Sequence, residues 1–63
     1  MTRMLRWLEH DHLSPDLQAV VKPIYELGMK LDDDLPEGPE KTAGFRKLVE
    51  AKDCFVRAYI EGK

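Results

Sequence analysis

The stretch that decides the fold is Leu35-Pro36-Glu37-Gly38-Pro39-Glu40-Lys41. Two prolines and a glycine within five residues forbid a continuous helix or strand and mark a turn. Pro39 is also suited to the first position of a new helix, where its missing N–H costs nothing. Before this turn, apolar residues fall at Leu17, Val20, Val21, Ile24, Leu27, Leu31 and Leu35, the spacing of a helix face. Ser14-Pro15-Asp16 opens that run with a capping hydroxyl, a proline at the first position and an acid near the positive end of the dipole. Pro23 removes one backbone donor and leaves the Ala19 carbonyl without its partner, so a kink or break is expected there. After the turn, a second helix runs from Pro39 to about Glu61, with Gly62 as terminator. The expected fold is all-α: an antiparallel two-helix hairpin over 14–63, at about 15–34 and 39–61, preceded by an N-terminal arm over 1–13.

Sixty-three residues allow one small domain. Area scaling leaves about 4,200 Å² exposed of roughly 10,600 Å² in the unfolded chain, too little burial for a deep catalytic cleft. No apolar run approaches the roughly 18 residues of a membrane span, and the first twelve residues lack a signal-peptide core. One cysteine, Cys54, excludes an intrachain disulfide and a cysteine-based zinc site, and favours a reducing, cytoplasmic setting. The net charge is −2. Residues 1–40 hold four basic side chains against nine acidic, whereas 41–63 hold six against three. An acidic chain argues against duplex DNA or RNA as partner, since phosphate neutralisation dominates such binding. The basic half can still hold a small anion.

On the second helix Gly44, Phe45, Leu48, Val49, Ala51, Phe55, Val56, Tyr59 and Ile60 fill an arc of about 180°, wider than one partner helix covers. The surplus calls for further copies of the chain, giving a homo-oligomeric helical bundle. Opposite, Arg46, Glu50, Asp53, Arg57 and Glu61 are spaced for a salt-bridge ladder. Lys41 and Lys52 interrupt the apolar face, and each must snorkel, pair with a carboxylate or meet an anion. Asp32-Asp33-Asp34 opposes the dipole of the first helix and lacks the pattern of a calcium loop; basic residues of a neighbouring subunit are one way to neutralise it.

Catalysis is not expected. Cys54 has no neighbouring histidine, and His10-Asp11-His12 offers two imidazoles without a specified third metal ligand. No cofactor motif is present. Binding chemistry is better represented. Lys22, Tyr25 and Met29 share a flank of the first helix outside the core stripe, where a ring can stack on a base and an ammonium can meet a phosphate. Trp7 in the arm offers a second ring. The plainer reading is that both rings cover the hairpin or a subunit contact.

From Leu35 to Cys54 the chain resembles a phage helical-hairpin family, the cyclic-oligonucleotide sponges that counter CBASS immunity, whose hairpin domain is shared with an anti-Thoeris relative. The resembling elements are Leu35-Pro36, Glu40-Lys41-Thr42 and Lys47-Leu48-Val49-Glu50-Ala51, and the likeness extends over roughly 13–60. Where many members carry tryptophan then alanine late in the second helix, this chain has Cys54-Phe55. The resemblance implies an oligomer that sequesters cyclic di- or trinucleotides at subunit interfaces without cleaving them, in the cytoplasm of a bacterial host. By position it implies Trp7, Lys22 and Tyr25 near one ligand and Lys41, Thr42 and Arg46 near another. Only Lys41 and Thr42 lie inside the motif. The alternative is a small helical protein that docks on a host protein.

Overall fold

The computed structural model describes residues 7–10 and 13–62. Two helices make up the fold, α1 (Pro15–Asp34) and α2 (Pro39–Glu61), and no strand occurs among the described residues. Both spans agree with the sequence expectation, because the residues that set them act locally. Ser14 accepts a hydrogen bond from the Leu17 N–H at 3.4 Å and caps α1. Pro39 takes the first turn of α2, and the Thr42 N–H reaches back to the Gly38 carbonyl at 3.1 Å. At the far end the Gly62 N–H donates to Ala58 and closes α2.

Pro23 does not break α1, which runs on to Asp34. Ala19 and Pro23 both lie on an exposed face, so solvent can serve the carbonyl that the proline leaves unpaired. The two helices run antiparallel. Asp32 near the end of α1 meets Lys41 at the start of α2, and Tyr59 near the end of α2 donates to Asp16 in the first turn of α1. With its helices paired along one seam, the hairpin is elongated, 39 × 18 × 15 Å. Its radius of gyration is 12.1 Å, against about 10.6 Å for a compact chain of this length.

The core is correspondingly thin. Leu8 and Phe45 are buried together, with Ile24, Tyr25, Leu31, Leu48 and Val49 packed around them, half-buried. Val21 is fully buried as well. Leu8 belongs to the described part of the arm, and its side chain helps to close the core. Gln18 Nε2 of α1 ties down the end of the arm by donating to the Leu13 carbonyl at 2.7 Å, and within the arm the Leu13 N–H donates to the His10 carbonyl at 3.0 Å. Leu27, Leu35, Phe55 and Ile60 remain about half exposed. No helix among the described residues is long and apolar enough to cross a membrane.

Candidate functional site

Two places gather charged and aromatic side chains. The first is the closed end of the hairpin, where Lys41 lies. Its side chain is only 4% exposed, and that of Asp32 only 6%. The Lys41 ammonium donates to Glu37 Oε1 at 2.6 Å and to the Asp32 and Leu35 carbonyls at 2.9 and 3.0 Å. Asp32 Oδ1 stands 2.9 Å away as an ion pair. An ammonium has three N–H bonds, so this set uses its donor capacity in full. The carboxylates of Glu37 and then of Asp32 hold the lysine above its ordinary pKa of 10.5, against the opposing effect of burial.

Of the routes open to Lys41, pairing with the first helix is the one taken. It also accounts for Asp32, which finds a cation within the chain. The last turn of α1 carries no basic residue of its own. Lys41, supplied by α2, complements the negative end of that helix and occupies two carbonyls there. Thr42 and Arg46, next along α2, are exposed. Beside the clip, Leu31, Leu35, Phe45 and Leu48 line a shallow apolar groove of about 150 Å³, open at Gly44.

The second place lies where the arm crosses α2. A cavity of about 450 Å³ has Trp7, Glu9 and Leu13 on one wall and Lys52, Asp53 and Arg57 on the other. Trp7 is 61% exposed, whereas its neighbour Leu8 is entirely buried. The backbone that presents the indole is therefore pinned to the core at the very next residue. On α2, Lys52 Nζ pairs with Asp53 Oδ1 at 2.8 Å. Arg57 donates to the Cys54 sulfur at 3.4 Å and is otherwise exposed.

This arrangement corrects one expectation. The ladder of Arg46, Glu50, Asp53, Arg57 and Glu61 does not form among the described residues, because Asp53 turns to Lys52 and Arg57 to Cys54. Exposed pairs of long side chains gain too little in water to impose a single arrangement.

Trp7 shares its cavity with Lys52 and Arg57; neither Lys22 nor Tyr25 lines it. Lys22 is exposed on α1. Tyr25 packs on the core and receives His10 edge-on, ring centres 5.3 Å apart. Asp11 and His12, the rest of the histidine triplet, lie outside the described residues. No group of metal-ligating side chains occurs among the described residues. Arg57 lines the cavity, although its place in the sequence assigned it to the ladder. Its i,i+4 spacing from Asp53 was visible, but the arm that walls the cavity opposite has no periodicity to reveal its path.

Comparison with protein-family models, with curated proteins and with solved structures finds no match to this chain.

Proposed function

We propose that this protein is a phage anti-defence protein that binds cyclic di- or trinucleotide immune signals in the bacterial cytoplasm and sequesters them without cleavage. The observation that carries this reading is the position of the resembling motif in the fold. Leu35-Pro36 opens the turn, Glu40-Lys41-Thr42 forms the first turn of α2, and Lys47 to Ala51 follow along its middle. Lys22, Thr42 and Arg46 all face solvent and are free to meet an anion. Lys41 contributes by fixing the helix start from which Thr42 and Arg46 project.

An acidic chain must gather cations locally to hold a polyanion, and pairing subunits doubles them. The exposed Leu27, Phe55 and Ile60 supply apolar surface for a homo-oligomer. Light scattering at micromolar concentration should report an assembly, and a stable monomer would remove this part of the proposal. The same exposed residues favour a second reading, a helical module that docks on a host protein.

A thermal-shift panel of cyclic di- and trinucleotides separates the two. A ligand at 100 times its Kd stabilises the fold by about 2.7 kcal/mol, which for a chain of this size is a rise in Tm of roughly 10–20 °C. A flat panel with capture of one defined host protein sinks the sponge reading. Heating the complex should return the intact ring. A linearised nucleotide would mean hydrolysis and sink sequestration.

A further inference from the structure

We infer that the cavity between the arm and α2 is a nucleotide-unit site, with the Trp7 indole as base platform and Arg57 and Lys52 as phosphate contacts. The inference rests on the sponge reading for the kind of ligand, and goes beyond it in placing that ligand on residues of α2 outside the resembling elements. Three observations lead there. An indole left 61% exposed beside a fully buried leucine is held on a fixed backbone yet covers little of the core. The volume of about 450 Å³ suits one nucleotide and falls within the usual range for small-ligand pockets. The charges on the walls are mixed: Lys52 and Arg57 stand against Glu9 and Asp53.

That mixture selects among anions. A simple inorganic anion meets two carboxylates as well as two cations and gains little net attraction. A nucleotide divides its chemistry as the walls divide theirs. Its singly charged phosphodiester goes to the guanidinium and ammonium, its ring stacks on the indole, and its base N–H groups donate to the carboxylates. Arg57 is the stronger phosphate contact, because its fork is exposed and bound only to a thiol sulfur, whereas Lys52 already holds Asp53.

Trp7 is the only tryptophan in the chain, so its fluorescence reads occupancy of this cavity directly. The probes are cyclic di-GMP, cyclic tri-AMP and linear GMP, titrated into the full chain by fluorescence and by calorimetry. At least one ring should quench Trp7 saturably. Arg57→Ala should weaken that binding at least about tenfold, while Lys30→Ala, on a pair with Asp34 elsewhere on the surface, should not. A ring that binds by calorimetry while Trp7 emission and the Arg57→Ala affinity stay unchanged overturns this site and leaves the sponge reading standing. Linear GMP binding as tightly as the rings keeps the site and overturns the sponge. No binding of any probe by either method overturns both.

Discussion

Replacing Leu8 with alanine tests whether the arm is part of the fold or an appendage. Leu8 is fully buried against Phe45, with half-buried residues of both helices packed around the pair. Burying a leucine completely is worth about 1.5–3 kcal/mol, and the cavity left by truncation raises the loss to roughly 2–5 kcal/mol. A chain of this length has about 3–9 kcal/mol of stability in all. Leu8→Ala should therefore remove a large share of it and lower Tm by at least about 8 °C. Leu8→Met, which conserves volume, should cost less than about 1.5 kcal/mol. The measurement is thermal and urea unfolding followed by far-ultraviolet circular dichroism. If Leu8→Ala melts within about 2 °C of the parent, the arm does not share the core and the rigid presentation of Trp7 has no foundation.

Gly44 sits inside α2 with nothing within 4 Å of where a Cβ would stand. Gly44→Ala should stabilise the hairpin by about 0.5–1 kcal/mol through helix propensity; a lower Tm would show that another chain packs closely on that surface in solution. Asp32→Ala leaves the buried Lys41 with Glu37 as its only carboxylate, so it should lower Tm more than Asp33→Ala on the exposed side of the same triplet. Equal effects in a melt would refute the clip. Alkaline pH should loosen the hairpin at both ends. Lys41 is raised above 10.5 by Glu37 and then Asp32, and Tyr59 above 10.0 by its bond to Asp16 and then by burial. A raised pKa gives stability that is complete below the unfolded value and lost as pH climbs through the folded one. Tm should thus hold up to about pH 10 and fall above it, and Tyr59→Phe should remove part of that fall; a Tm unchanged well above pH 11 would count against both contacts.

The helix ends were legible in the sequence because Ser14, Pro15, Pro39 and Gly62 act on backbone within a turn of themselves. Lys41 was legible as a misfit, a cation on an apolar face. Its partners were not, since they depend on how far Asp32 and the Leu35 carbonyl lie across the turn once the hairpin closes. Leu8 was hidden for a different reason: it lies ahead of the first helix, between Trp7 and Glu9, where no helix face assigns it to the core, and only the tertiary path of this segment buries it. The same path creates the cavity, so Arg57 read as a surface residue while Trp7 was noticed for its ring alone. Tyr25 shows the converse. Its helical position beside Lys22 suggested a binding platform, and in the fold one side of that ring packs on the core.

The Lys41 clip also bears on the order in which the chain folds. Asp32 and Lys41 are nine residues apart, and closing a loop of about ten residues takes on the order of 10–100 ns. The contact can form before the distant ends of the helices meet, and once made it fixes their antiparallel sense and register together. From there the helices can zip from the turn toward the open end, where Tyr59 reaches Asp16, with the arm docking last. On that route a lesion at the turn slows refolding, and a lesion at Leu8 mainly speeds unfolding.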